Sequence, residues 1–333
     1  MTTLSRVIKY TVLGYAACTG LTALSWDAWS LMFFRCLMGF FAGGEWAAGA
    51  ALLTETWPTK HRGKIMGVMQ CGWPAGTLLA AIVYAAIAPT WGWRLCFVTG
   101  IIPALLVLVV QFKLKETAHF EKMKAEGKKS NWREIFGPKY RKRTIMFILI
   151  SFIGLLGNWN IMTWVPTILR TERGMGIVDA SMWFIVIQIG CCLGYLLFGQ
   201  ITERLGRRIT FTIFWLGCMV ACPMFVLFST TPVLMLIFGL LMGISIGYFV
   251  GYPLYGSELF PTHLRATGMG IAYTGIARMG STFGPTAVGA AAGSIGISGA
   301  IAIMAGTYII AVIVIWAMGY ETKGKSVEEL DAM

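Results

Sequence analysis

Three ionisable side chains lie inside long apolar runs of this chain: Arg35, Glu45 and Arg278. A charge at the centre of a membrane helix costs about 2.5–3.5 kcal/mol on insertion scales, so such residues usually face a cavity or a partner. Arg278 stands near the middle of its run, where a guanidinium can hold a carboxylate through two parallel hydrogen bonds. We therefore predict that Arg278 binds an organic anion. The alternative is a structural pair with helix-end carbonyls or with a glutamate such as Glu45.

Glu45 and Arg35 share one apolar run, and Glu45 suits proton coupling. Burial disfavours the charged form of a carboxylate, so Glu45 is suited to bind and release a proton. The alternative is a neutral Glu45 that hydrogen-bonds a neighbouring helix beside Gly43 and Gly44. Arg35 lies nearer the opposite end of the run, where its long side chain can also reach the membrane interface.

Six further polar side chains fall in apolar runs and complete a candidate binding site. Each can hydrogen-bond a small solute or join two helices, and singly each more often does the second. Tyrosine rings can also stack on an aromatic solute. The six candidates are Gln70, Asn158, Asn160, Gln188, Tyr248 and Tyr252.

A charged segment occurs twice in the chain, each time at the end of an apolar run. In both copies Pro follows Glu by three positions, Arg follows Pro by four and Gly follows Arg by five. The copies are Glu55, Pro58, Arg62 and Gly67, and, 203 positions later, Glu258, Pro261, Arg265 and Gly270. Such repeats in an apolar chain are typical of secondary transporters, in which two related bundles move about a central site.

The elements that hold these residues are predicted to be membrane helices. Hydrophobic residues make up 57% of the chain and charged residues 13%, against about 25% charged in a soluble domain. A membrane span needs about 20 mostly apolar residues. Ten stretches qualify: 9–26, 30–53, 65–88, 94–112, 144–168, 181–202, 209–228, 233–257, 267–291 and 297–319.

The distribution of charge predicts the domains and the orientation. A basic stretch at 113–143 separates a four-helix N-terminal bundle, 1–112, from a six-helix bundle, 144–320, with a tail at 321–333. With the N-terminus inside, 22 of the 27 Lys and Arg residues lie on the inner side and three, Arg94, Arg170 and Arg173, on the outer side. Positive charge favours the cytoplasmic side, so both termini are predicted to be cytoplasmic.

One loop carries a family pattern. The segment Gly199-Gln-Ile-Thr-Glu203-Arg204-Leu-Gly206-Arg207-Arg208 resembles the loop signature of the major facilitator superfamily. In members of that family the signature stands between the second and third helices of each six-helix half. The resemblance implies an all-α major facilitator fold, and the first-half copy of the signature would fall at or before Met1. We therefore expect about ten helices, corresponding to helices three to twelve of twelve, without the first two.

Other segments are similar to particular groups within that family. Arg35-Cys-Leu-Met-Gly39 and Gly43-Gly44-Glu45-Trp46 resemble the fourth helix of proton-coupled carboxylate symporters, including the sialate and lactate, aromatic acid and metabolite/proton groups. The resemblance implies that Arg35 assists proton coupling. Four more segments resemble these groups or the sugar porters: Trp91-Gly92-Trp93-Arg94, Trp164-Val-Pro166-Thr167, Ala277-Arg278-Met-Gly280 and the tail Glu321-Thr322-Lys323-Gly324-Lys325.

The family resemblance also implies a cytoplasmic gate. Charged residues at the inner helix ends are expected to hold the two halves together in the outward-facing state. Since an exposed ion pair is worth under about 1 kcal/mol, several must act together. The alternative is that they only orient the chain in the membrane. The predicted gate residues are Glu55, Arg62, Glu203, Arg204, Arg207, Arg208, Glu258 and Arg265.

The sequence therefore predicts alternating-access uptake of a small carboxylic acid with protons, in the plasma membrane or a bacterial inner membrane. A sugar or zwitterionic osmolyte symporter and an inactive truncated transporter remain alternatives. No cofactor or metal is implied, because the eight cysteines lie in apolar runs and form no spaced pair. The three histidines form no catalytic constellation, so an enzyme is not expected. Basic residues are dispersed among short loops, which argues against a nucleic-acid partner. The sequence leaves the oligomeric state open.

Overall fold

The computed structural model describes residues 4–102, 131–325 and 329–330, and these are helical with no strand. Twelve α-helices are present in that part of the chain: α1 (Leu4–Thr22), α2 (Ala28–Thr56), α3 (Arg62–Gln70), α4 (Gly72–Thr99), α5 (Arg141–Thr171), α6 (Ile177–Leu205), α7 (Arg207–Phe228), α8 (Pro232–Ser245), α9 (Gly251–Leu259), α10 (Thr262–Met269), α11 (Gly280–Ala305) and α12 (Tyr308–Met318).

Short helical segments of other types join several of these helices. The 3₁₀ segments are Thr59–His61, Trp132–Phe136, Ile246–Val250 and Ala277–Met279, and a π segment spans Gly270–Ile276. In consequence α8 and α9 form one continuous rod, and α10 and α11 form another that is irregular between its two parts.

Six stretches of the described residues are long and apolar enough to cross a membrane. They are Arg62–Ala88, Arg141–Thr171, Val178–Leu205, Arg207–Phe228, Pro232–Leu259 and Thr262–Met318. The last has 57 residues and is broken at Gly296, so it contains two spans. The predicted span 94–112 and the predicted linker 113–143 each lie partly outside the described residues.

The chain separates into two compact units. One consists of residues 1–56 and 75–130, and the other of residues 57–74 and 131–333. In the first unit α1 packs along α2. In the second, α6 packs on α8, and α11 packs on α5 and α7. The short helix α3 lies in the first half of the sequence, yet it packs on α6 within the second unit.

The helices of the second unit approach one another closely where glycine faces glycine. A Cβ atom at Gly190 of α6 would lie 2.7 Å from the carbonyl oxygen of Leu240 in α8 and 3.0 Å from Cα of Gly243. Small residues allow this approach, which gives van der Waals contact between helices in a solvent where apolar side chains gain nothing by association.

The sequence repeat is also present in the backbone. Gly92 and Gly296 both adopt a left-handed conformation, with φ of 76° and 72° and ψ of 166° and 162°. Their separation differs by one position from the 203-residue offset of the charged repeat. Only glycine adopts this conformation readily. Each glycine ends one apolar helix and begins the next, so both units turn at corresponding points.

Candidate functional site

Arg278 lies where its membrane helix is irregular. It stands in the 3₁₀ segment Ala277–Met279, directly after the π segment Gly270–Ile276. Its side chain is exposed, and its guanidinium has no hydrogen bond or ion pair to the residues that the structure describes. Interrupted helices at membrane depth are common at transporter binding sites, and π segments are common at functional sites generally.

The packing of α11 determines which way Arg278 faces. Gly280 and Gly284 lie against the backbone of α5, and a Cβ atom at Gly284 would be 2.5 Å from the carbonyl oxygen of Leu156. Since successive residues turn by about 100°, Arg278 lies on the opposite face from Gly280. The close helix contact therefore leaves the guanidinium directed away from the α5 interface.

The two residues predicted to couple protons both belong to α2. Arg35 is exposed, and its guanidinium carbon lies 4.8 Å from the centre of the Phe97 ring in α4. This distance is within the range of a cation–π interaction. The side chain of Glu45 lies outside the described residues, as does that of Glu55 in the predicted gate.

The asparagines of α5 are buried inside the second unit. Asn158 is 8% exposed and Asn160 1% exposed. The amide nitrogen and oxygen of Asn160 have no protein partner, and Asn160 lines a cavity of about 10 Å³ together with Cys222, Ile301 and Tyr308. This is close to the smallest space that holds one water molecule.

The tyrosines of the candidate binding site are engaged in contacts between helices. The Tyr248 hydroxyl donates to the Gly154 carbonyl at 2.9 Å and lies 2.9 Å from the Tyr308 hydroxyl. The Tyr252 hydroxyl donates to the Ile150 carbonyl at 3.2 Å. These bonds match the alternative role of joining helices. Gln70 and Gln188 are also buried, at 8% and 7% exposure.

One group of predicted gate residues joins the two halves of the sequence. Glu203, near the end of α6, accepts a hydrogen bond from the backbone nitrogen of Lys64 in the first turn of α3, at 3.1 Å. The Lys64 ammonium lies 3.9 Å from the same carboxylate. A carboxylate at a helix N-terminus is stabilised by the free N–H groups and the helix dipole. Glu203 therefore anchors α3.

The adjoining glycines allow this anchorage. A Cβ atom at Gly63 would lie 2.5 Å from the carbonyl oxygen of Gly199, so α3 and α6 touch backbone to backbone. Arg62, the first residue of α3, is buried with 3% exposure.

A second group lies wholly within the C-terminal half of the sequence. Arg207 holds Glu258 through two hydrogen bonds, Nη2 to Oε1 at 2.6 Å and Nε to Oε2 at 2.9 Å. Both residues are almost completely buried. Thr322 donates to Glu258 at 2.6 Å, and Arg207 also donates to the Thr202 carbonyl at 3.1 Å. The buried pair is thus surrounded by hydrogen bonds, as a buried ion pair requires.

The tail contributes two charged contacts at these helix ends, from residues that were not among the predicted gate residues. The Glu321 carboxylate accepts from the backbone nitrogens of Arg207 and Arg208 at the start of α7, at 3.0 and 3.3 Å. The Lys323 ammonium donates to the Arg204 carbonyl at the end of α6, at 2.6 Å. Each charge has the sign that suits the helix end it meets. The resemblance of the segment from Glu321 to Lys325 to the tails of carboxylate symporters or sugar porters is the sequence feature that could have identified these residues.

The turn between α6 and α7 depends on Gly206. Its φ is +89°, and a Cβ atom there would lie 2.7 Å from a Glu321 oxygen. The other predicted gate residues lie around it. Arg208 donates a hydrogen bond to the Trp316 carbonyl at 3.0 Å, and the Arg204 side chain is exposed. Arg265 is fully buried, and its Nε donates to the Ser257 carbonyl at 2.6 Å.

These features define a class of protein. A multi-pass membrane transporter is characterised by long apolar helices and an internal repeat, and both are present. The chain also has an irregular helix that carries an intramembrane arginine, and charged clusters at one set of helix ends. No group of His, Cys, Asp or Glu suited to a metal occurs among the residues that the structure describes.

The family follows from comparison with known proteins. The profile of the Major Facilitator Superfamily matches residues 5–280, so the chain belongs to this family and is a transporter rather than an enzyme. It is 31% identical to a Haemophilus influenzae protein named for metabolite transport, over 97% of this chain and 81% of that protein. It is 29% identical to a cis,cis-muconate transport protein of Acinetobacter baylyi, over 88% of this chain and 73% of that protein.

The fold agrees with a solved structure of the same family. The proton:xylose symporter XylE aligns with a TM-score of 0.79, covering 98% of this chain and 82% of XylE. At 18% identity, this likeness concerns the fold.

Proposed function

We propose that this transporter imports a small carboxylic acid together with protons by alternating access. The observation that carries the proposal is the state of Arg278. An unpaired, exposed guanidinium at an irregular point of a membrane helix is costly unless an anion meets it. A carboxylate accepts two parallel hydrogen bonds from the guanidinium, whereas a neutral sugar supplies no counter-charge.

The similarity to a cis,cis-muconate transport protein also supports a carboxylate substrate, since cis,cis-muconate is a dicarboxylate. We assign Arg278 as the anion-binding residue, with Glu45 and Arg35 coupling transport to protons. Gln70, Asn158, Asn160, Gln188, Tyr248 and Tyr252 remain the proposed supporting set. The buried residues of this supporting set would shape the site by holding neighbouring helices together.

The gate is proposed at the ends of α3, α6 and α7. The contact of Glu203 in α6 with the first turn of α3 joins the two halves of the sequence, and we propose that it breaks when the cytoplasmic side opens. Arg207, Glu258 and Glu321 would then move together, because all three belong to the second half of the sequence. The proposed orientation has both termini in the cytoplasm and the protein in the plasma membrane, or in the inner membrane of a bacterium.

Counterflow in proteoliposomes tests the substrate class without a proton gradient. Vesicles containing the full-length gene product are loaded with unlabelled solute, and entry of trace labelled solute is measured for a panel of carboxylates and sugars. We expect counterflow with cis,cis-muconate or a monocyclic aromatic acid and none with xylose. Counterflow with sugars alone would refute the carboxylate assignment.

A further inference from the structure

Three arginines lie on the outer side in the proposed orientation, and two of them cap helices. Arg94 donates to the Ser25 carbonyl, just beyond the end of α1, at 2.9 Å. Arg173 donates to the Phe225 and Ser229 carbonyls at the end of α7, each at 2.8 Å. Both guanidiniums therefore serve C-terminal carbonyls, where a cation is favourable.

Arg170 is different from these two. Its side chain is exposed, and its guanidinium has no hydrogen bond or ion pair to any residue that the structure describes. The neighbouring carboxylate, Glu172, does not neutralise it. Glu172 accepts from the backbone nitrogen of Ile297 at 2.8 Å and from the Ser298 hydroxyl, at the start of the helix beyond Gly296. Among the described residues, the positive charge of Arg170 is therefore not neutralised at this end of α5.

Arg170 also lines a recess of about 330 Å³ at the last turn of α5, together with Pro166, Thr167, Thr171 and Met175. This volume is at the lower end of the range for small-molecule sites. Thr167, Arg170 and Thr171 share one helix face because they are three and four positions apart. The Thr171 hydroxyl donates to the Thr167 carbonyl at 2.9 Å. The Thr167 hydroxyl has no partner in the described chain and is available to a ligand.

We propose that this recess is an outer capture site, in which Arg170 and Thr167 bind the carboxylate of the solute before it reaches Arg278. The inference rests on the proposed function, which supplies an anion. A fixed positive charge beside an entrance raises the local concentration of anions and their rate of arrival, and added salt removes this effect. A lipid phosphate offers related chemistry, so the test must separate a soluble carboxylate from a headgroup.

The test compares Arg170→Gln with Arg170→Lys and a matched control, Arg141→Gln. Arg141 is an exposed arginine at the opposite end of the same helix, so its variant removes the same charge from a different place. Initial uptake of labelled cis,cis-muconate is measured in zwitterionic phosphatidylcholine vesicles. At about 10 mM salt, Arg170→Gln should raise KM about 5-fold with kcat unchanged. Arg170→Lys and Arg141→Gln should stay near the parent protein.

The difference in KM should vanish at about 1 M salt, where the screening length falls to about 3 Å. If the parent protein transports the acid and Arg170→Gln leaves KM unchanged at low salt, the capture site is refuted while the proposed function stands. A KM effect that requires anionic lipid in the vesicles would assign the recess to a headgroup and also refute the proposal.

A labelling experiment gives an answer even if no acid is transported. Thr171→Cys is placed in intact cells and labelled with a membrane-impermeant anionic methanethiosulfonate, with the parent chain as background for its own cysteines. We expect cis,cis-muconate to slow this labelling, and to lose that effect when Arg170→Gln is added. Labelling that is indifferent to muconate with Arg170 present would overturn the capture site.

Discussion

Arg278 is the proposed anion-binding residue, and its charge has no partner among the residues that the structure describes. The residue was chosen from its position in an apolar run, and the structure adds that the helix is irregular at that point. A regular helix would have directed the side chain by periodicity alone. π segments are common at functional sites, which supports the proposal that Arg278 binds a ligand.

Replacing Arg278 by Ala should weaken binding of the transported acid about 10- to 100-fold, because hydrogen bonds to a charged group are worth about 1.5–3 kcal/mol. Isothermal titration of the purified protein with cis,cis-muconate measures the effect. Arg278→Lys keeps the charge but loses the two parallel hydrogen bonds. Its affinity for the acid should lie between those of Arg278→Ala and the parent protein. Thr282→Ala, one turn along the same exposed face, should bind like the parent protein. Equal affinity of Arg278→Ala and the parent would contradict the assignment.

At the scale of elements, helix ends carry most of the charged contacts. Glu203 meets the start of α3, Glu321 meets the start of α7, and Glu172 meets the helix that begins at Ile297. Lys323 and Arg173 meet the ends of α6 and α7. Acidic groups at N-termini and basic groups at C-termini follow the helix dipole. The charges therefore fix where helices begin and end relative to one another.

The contact between Glu203 and α3 can be tested with two native cysteines. Cys71, directly after α3, has its Sγ 3.6 Å from the Cys192 carbonyl in α6. A short bifunctional thiol reagent should therefore link the two residues when α3 is seated. Glu203→Ala should reduce this linkage, measured by mass spectrometry of the digested protein, because α3 loses its N-terminal carboxylate.

The control for this experiment is Lys64→Gln. The Lys64 side chain is 53% exposed and 3.9 Å from Glu203, so its ion pair should contribute under about 1 kcal/mol. Its removal should leave the linkage nearly unchanged. If Lys64→Gln reduces the linkage as much as Glu203→Ala, the surface ion pair and not the helix N-terminus holds α3.

Arg173, which lies on the outer side in the proposed orientation, should stabilise the second unit. Arg173→Gln removes its hydrogen bonds to the carbonyls at the end of α7 and should cost about 1–2 kcal/mol, seen as a lower Tm in detergent. Arg170→Gln is the matched control, since Arg170 lies three positions earlier and contacts no described residue. An unchanged Tm for Arg173→Gln, or an equal loss for both variants, would contradict the capping role.

For the whole molecule, apolar length and the repeated charge pattern predicted the membrane class, and the resemblance of the loop from Gly199 to Arg208 to the family signature implied the major facilitator fold. For Tyr248 and Tyr252 the sequence leaves both roles open, since a tyrosine in an apolar run can bind a ligand or, more often, join a neighbouring helix. Only the distances from their hydroxyls to the Gly154 and Ile150 carbonyls reveal the helix contacts.

Contacts between residues that are far apart in the sequence also could not be predicted. Glu321 lies more than a hundred positions from the helix start it caps, and no local pattern marks such a pair. The break in the helix before Arg278 was also invisible, because the segment Gly270–Ile276 contains no proline. Arg170 was counted as an outer charge, but its availability depends on the engagement of Arg94 and Arg173, which only the folded chain shows.

The central claim, proton-coupled import of a carboxylate, is tested most directly by accumulation driven by an imposed pH gradient. Vesicles containing the full-length gene product receive labelled cis,cis-muconate at an outside pH about one unit below the inside pH. We expect the labelled acid to accumulate above its external concentration. We expect this accumulation to be lost on adding a protonophore and in Arg278→Ala. Passive vesicles without protein give the background. Uptake that only equilibrates, or accumulation that survives the protonophore, would contradict proton-coupled import.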